Sequence, residues 1–205
     1  MRLNEIMRNF VFFRPKDRAV FEGRFVGRRR THDAVFQYRM GAGMQGAVNR
    51  SHPVTIEPCM IDTSSSGSLE PQFYGSAVVA DGASPNGVRV PISSDAAAAI
   101  YGFAVRPFPL QPTTGGLTTS FGTVVPPPTQ PLDVMRSGYM IVKLQGVAPA
   151  FKGSLVQVCI VAGTGYLVGG VSVDTVSGTF VQLDQKSSFN GPADPNGLVE
   201  LAFNI

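Results

Sequence analysis

The sequence predicts an all-β fold: a compact β-sandwich or small β-barrel body with an extended basic N-terminal arm. Three observations predict it. From residue 41 onward, short β-rich runs alternate with clusters of Gly, Pro, Asn and Ser. The 205 residues include 23 glycines and 16 prolines, which interrupt long helices because they cost about 1 and about 3 kcal/mol relative to alanine. Charged residues make up 15% against a usual share of roughly 25%, while 43% are hydrophobic, so the chain can bury one sizeable core and is not disordered.

Residues 1–39 differ in texture from the rest. They hold ten basic and four acidic residues, a net of +6, whereas residues 40–205 carry a net of −3. Aromatic residues are interleaved with the arginines, and Gly and Pro are scarce. No helical stripe of apolar residues runs through the segment; alternation over residues 33–40 (Ala34, Phe36 and Tyr38 against Val35, Gln37 and Arg39) suits a strand. The segment reads as an extended or partly helical arm on a neutral to acidic body.

The body, residues 40–205, is read strand by strand. Val54, Thr55, Ile56 and Glu57 form a short strand closed by Pro58, and residues 63–68 are a Ser/Gly loop. Residues 74–81 and 88–92 are strands around a turn at 81–87. Ser94 or Asp95 is placed to cap a short helix through four alanines, which Gly102 follows. A strand over 101–106 ends at Pro107. Residues 108–132, rich in Pro, Thr and Gly, read as a long surface loop, and loops of that length are more often functional than idle. Strands follow at 138–144, 155–162, 166–168, 171–176 and 179–183. The last comes after two Gly/Pro/Asn turns: Val199, Leu201, Phe203 and Ile205 share one side, Leu198, Glu200, Ala202 and Asn204 the other. That apolar side is expected to close the core or to pair with a sister subunit.

Few residues point to chemistry. Gly41, Gly43 and Gly46 match GxGxxG, but no helix follows to place N–H groups on a phosphate, so the segment reads as a glycine-rich joint. His32 and His52 have no metal-ligand partner at zinc-site spacing, and no GxSxG elbow supports a triad. The carboxylates lie mostly in turns, where Asp caps local backbone. Cys59 and Cys159 lack a CxxC context and read as packed free thiols in preference to a long-range disulfide. Phe10, Val11, Phe12 and Phe13 are too short a run for a secretory signal before Arg14, and no run reaches the roughly 18 apolar residues of a membrane span. The chain is therefore expected to be soluble, made in the cytoplasm, non-enzymatic, and without cofactor, metal or membrane partner.

The arm is where a functional reading competes with a structural one. Its candidate contacts are Phe10, Phe12, Phe13, Arg14, Arg18, Phe21, Arg24, Phe25, Arg28, Arg29 and Arg30. Phenylalanines as anchors with arginines as rim contacts suit docking on an acidic protein surface. The same residues would suit phosphates and stacked bases, or a solvated basic face. Protein docking is the preferred reading, and nucleic acid is not the expected partner.

Several segments together resemble the structural cement, or decoration, proteins of tailed-bacteriophage capsids. They are Gly46-Ala47-Val48-Asn49-Arg50 before Val54-Thr55-Ile56-Glu57, then Tyr74-Gly75-Ser76-Ala77-Val78-Val79, and residues 100–109. The most specific is the end of the chain, Gly191-Pro192-Ala193-Asp194-Pro195-Asn196-Gly197 and the strand behind it. The resemblance covers residues 40–205, and the arm departs from the usual start of that family. It implies a virion protein on the outer surface of the capsid, bound to the major capsid protein and clamping neighbouring subunits; a homo-oligomer, dimer or trimer on the capsid, is the separate expectation from repeated self-contact. A virion fibre or host-surface receptor-binding domain is the alternative, because Gly/Pro-rich β proteins with exposed loops serve there too.

Overall fold

The computed structural model describes residues 43–61, 69–82, 84–107, 125–126 and 131–205. The predicted arm, including every arm residue named above, lies outside the described residues, as do 62–68 and most of the 108–132 loop. The described chain is all-β. Ten strands follow in order: β1 (Thr55–Ile61), β2 (Ala77–Ala80), β3 (Gly87–Arg89), β4 (Ile100–Ala104), β5 (Pro131–Lys143), β6 (Gln157–Cys159), β7 (Val171–Ser172), β8 (Phe180–Gln182), β9 (Ser188–Phe189) and β10 (Leu198–Phe203).

Five of them close a barrel. The order β1-β3-β2-β4-β5 returns on itself because β5 also pairs antiparallel with β1. Each strand sends side chains inward: Cys59 and Ile61 from β1, Val78 from β2, Val88 from β3, Ala104 from β4, Leu132 and Val134 from β5. Strand alternation then turns the neighbours of these residues outward. Ala77, Val79, Phe103 and Met135 therefore lie in a second, larger core on the barrel's outer face.

The second core depends on the length of β5. Its 13 residues outrun the barrel, and beyond Gly138 (φ +137°) it changes partners. The distal half pairs with β10, from Leu198 opposite Lys143 to Phe203 opposite Gly138, and β9 follows on the outside of β10. Val199, Leu201 and Phe203 pack with Met140, Val142, Phe189 and the barrel's Phe103. The rings of Phe103 and Phe203 meet edge-on at 5.0 Å and 82°, a favoured aromatic geometry. A separate three-stranded sheet, ordered β7-β6-β8, adds Val158 and Val171 to this core.

The sequence-based boundaries need four corrections. Pro58 does not end its strand, and β1 runs on to Ile61. The Met60 N–H bonds Asn86 O on the β3 side, so Pro58, two residues earlier, turns its missing N–H to that side before β3 begins. No capped helix forms after Ser94; a single 3-10 turn, Ala97–Ala99, stands there without a side-chain cap. The Asp95 carboxylate is instead held by Arg89 and the Ile92 N–H, and four alanines cannot offset helix nucleation. Pro131 and Leu132 belong to β5, not to the long loop. Residues 166–168 form no strand, since Tyr166 only bridges Gly163 across a tight hairpin.

Phe103→Ala and Leu201→Ala each empty a fully buried site shared by both halves of the body. Each should destabilise it by about 3 kcal/mol in urea unfolding, within the range for large-to-small core changes, while Ile205→Ala should cost well under 1 kcal/mol because Ile205 is 44% exposed.

Candidate docking surfaces

Of the GxGxxG segment, Gly41 lies outside the described residues, and Gly46 is fixed by close packing within the body. Gly46 has φ +80°, and a Cβ there would stand 2.4 Å from Tyr74 Cβ, so only glycine permits the contact. The Gly46 N–H donates to Ile141 O, the Ile141 N–H donates to Ala47 O, and the Asn49 N–H donates to Tyr139 O. Residues 46–49 thereby line the free side of distal β5, opposite β10. This positions Asn49 and Arg50 over the face that strand alternation turns away from the core.

Glu200 of β10 is the centre of that face. Its carboxylate accepts from Arg50 Nη2 at 2.6 Å, Arg50 Nε at 2.9 Å and Asn190 Nδ2 at 2.6 Å, and also from Asn49 Nδ2. The Arg50 guanidinium lies 4.1 Å from the centroid of the Tyr139 ring. Burial pushes the Glu200 carboxyl up, but the bonds from Arg50, Asn190 and Asn49 outweigh it and hold the group below its ordinary value. The cluster fastens the start of the described body to its last strand, which makes it structural.

Two further polar groups brace the barrel. Glu57 accepts from the Tyr101 hydroxyl at 2.6 Å and from Arg136 Nη1 at 3.1 Å, and the Arg136 guanidinium covers the Tyr101 ring at 3.7 Å. The Tyr101 hydrogen bond, then Arg136, lowers the Glu57 carboxyl. Arg89 and Asp95 form a bidentate pair at 2.7 and 3.1 Å, which lowers the Asp95 carboxyl. Cys59 and Cys159 are free and buried, and burial raises both thiols. No group of three or more His, Cys, Asp or Glu side chains that could hold a metal occurs among the described residues. No helix among them is long and apolar enough to cross a membrane.

The body also exposes apolar side chains. Val147 is 95% and Phe151 63% accessible, in the loop between β5 and β6. A groove of about 430 Å³ lies between residues 69–72 and 90–93 of the barrel side and residues 160–168 beyond β6. Ile92, Val161 and Leu167 stand partly exposed along it, and Glu70 is its one ionisable lining residue among the described residues. Sequence reasoning missed this groove because its walls come from three separate segments, each reading as ordinary strand or turn. Phe151 was legible: an aromatic between Pro149 and Gly153 in a turn has no strand to bury it.

Of the predicted terminal set, Val199, Leu201 and Phe203 are buried in the larger core, while Ile205 stands outside it. Asn204 adopts φ +51° and turns the last residue out of the strand, where the Ile205 N–H bonds Lys186 O.

The body is thus an all-β scaffold: a small closed barrel with braced outer ladders and exposed apolar patches. The family of the XM1 gp53 minor capsid protein matches residues 34–203, and the chain belongs to that family. It is a structural protein of the phage virion, associated with the capsid. Among solved structures, the chain is similar to one from the capsid of Myoviridae phage XM1, with a TM-score of 0.57 and 15% identity, covering 82% of this chain and 93% of that one. That likeness shows a shared fold. No curated protein matches the chain.

A carboxylate with a lowered pKa stabilises the fold fully above its unfolded value and loses that contribution as pH falls through the folded value. Glu200 and Asp95 are both lowered from ordinary values of 4.5 and 3.8. The body should therefore lose stability on acidification from about pH 4.5 downward, and Glu200→Gln should flatten that loss in melting curves taken between about pH 6 and 3. At neutral pH, Glu200→Ala should cost about 1.5 kcal/mol, since four donor groups on three residues lose their charged acceptor.

Proposed function

We propose that this chain binds the outer surface of the assembled capsid and cements neighbouring major capsid protein subunits, without catalysis. Membership of residues 34–203 in a minor capsid protein family carries this reading. Two features support it. The chain has low charge and exposed apolar side chains, as a protein covered by partners requires. The first 33 residues, which lie outside the family match, carry nine of the arm's ten basic residues and five of its seven aromatic residues.

The mechanism is thermodynamic. A ligand that binds the assembled lattice and not its free subunits stabilises the lattice by mass action. Repetition around the shell adds multivalency, so modest contacts sum to firm attachment. In this reading the arm reaches across a subunit boundary, with Phe10, Phe12, Phe13, Phe21 and Phe25 as apolar anchors. Arg14, Arg18, Arg24 and Arg28–Arg30 are its charged contacts on an acidic capsid surface. The body supplies the second point of attachment, and self-association as a dimer or trimer joins adjacent copies.

Deleting residues 1–39 should abolish co-sedimentation with assembled shells while leaving the circular dichroism of the β body intact. Shells filled to full occupancy by the truncated protein would remove the arm from the mechanism. Shells that gain no thermal stability from the full-length protein would remove cementing altogether.

A further inference from the structure

We infer that the groove between the barrel and the three-stranded sheet is the body's own docking site for the shell. It receives a short apolar segment of a capsid subunit that carries one lysine or arginine, and that cation pairs with Glu70. The inference rests on the proposed capsid attachment and specifies where and how the body takes part in it.

The walls supply the first half of the argument. Ile92, Val161 and Leu167 are 37%, 38% and 48% exposed and face one groove of about 430 Å³, beside Leu69, Val90 and Val168. Apolar side chains scattered singly over a surface need no explanation, but three converging on one concave site do. The groove is also preformed. The Val90 N–H is bonded to Leu69 O, and the Gly169 N–H is bonded to Cys159 O, so both walls are held by backbone bonds without an occupant.

Glu70 supplies the second half. Glu57, Asp95, Asp174 and Glu200 each have named side-chain partners. Glu70, partly buried, has no hydrogen bond or ion pair among the described residues, and among those residues no other ionisable side chain lines the groove. A carboxylate beside apolar walls discriminates against acidic segments and favours one with a cation at that point. The occupant is assigned to the shell because the groove lies within residues 34–203, the span of the minor capsid family match, whereas the basic arm lies mostly before it. A neighbouring body is the poorer candidate, since residues 40–205 carry a net charge of −3.

The test uses the full-length protein and purified shells assembled without it. Affinity is measured by co-sedimentation, and self-association by analytical ultracentrifugation. Leu167→Asp and Glu70→Lys should each weaken shell binding about tenfold or more, and Glu70→Gln should weaken it less while flattening the salt dependence. Thermal melts report folding, and Glu70→Lys serves if Leu167→Asp proves unstable. If wild type binds shells and both variants match it, the groove is not the docking site and the capsid reading stands. If wild type does not bind shells, both fall. If the variants lose self-association but keep shell affinity, the occupant is a second copy and the inference is overturned.

Discussion

The body depends on a single strand that belongs to two sheets. β5 is 13 residues long, and its first half closes the barrel against β1 and β4 while its second half carries β10 and the segment at 46–49. Gly138 stands between the halves with φ +137°, a backbone angle that side-chain-bearing residues rarely adopt. The pairing register of β1 with β5 shifts between Thr55 and Ile56, opposite Ser137 and Met135, and strict alternation breaks there: Val134 faces the barrel interior, while Met135 before the break and Met140 and Val142 after it face the larger core. The two cores thus share a backbone, and neither closes without it.

That arrangement decides where polar groups can go. The core-facing side of β10 is filled by Val199, Leu201 and Phe203, so Glu200 is left on the opposite side. There it gathers Arg50, Asn49 and Asn190 into the cluster that ties the two ends of the described body together. Fixing the strands in this way leaves the surface between them free to remain apolar. The resulting shallow groove and exposed loop residues suit contact with protein surfaces, which accords with a structural protein of the virion.

Much of this was legible from turn chemistry and alternation. The all-β class, the strands around the 81–87 turn, and the inward set Val199, Leu201 and Phe203 follow from local patterns whose physics is local. The errors also share a cause. Pro58 looked like a strand end because its lack of an N–H is a local fact, but the side on which that N–H would fall is a matter of pairing. Asp95 looked like a helix cap because its residue type suits one, whereas the turn at residues 93–94 brings it back onto Arg89 and the Ile92 N–H instead. The 131–132 boundary was missed because a Pro-rich loop conceals the start of a strand whose partners lie some seventy residues away.

The sequence by itself determined the composition, the charge asymmetry between residues 1–39 and 40–205, the strand-and-turn rhythm and which side of the last strand is apolar. These depend on residue type, charge and a period of two, which neighbours along the chain fix. Only the tertiary structure decided that the sheet closes into a five-stranded barrel, that β5 serves two cores, and that Glu70, Ile92, Val161 and Leu167 meet in one groove. Those facts depend on long-range register and on which segments arrive side by side. No local pattern encodes them, because the packing of distant strands chooses among partners that look alike in the sequence.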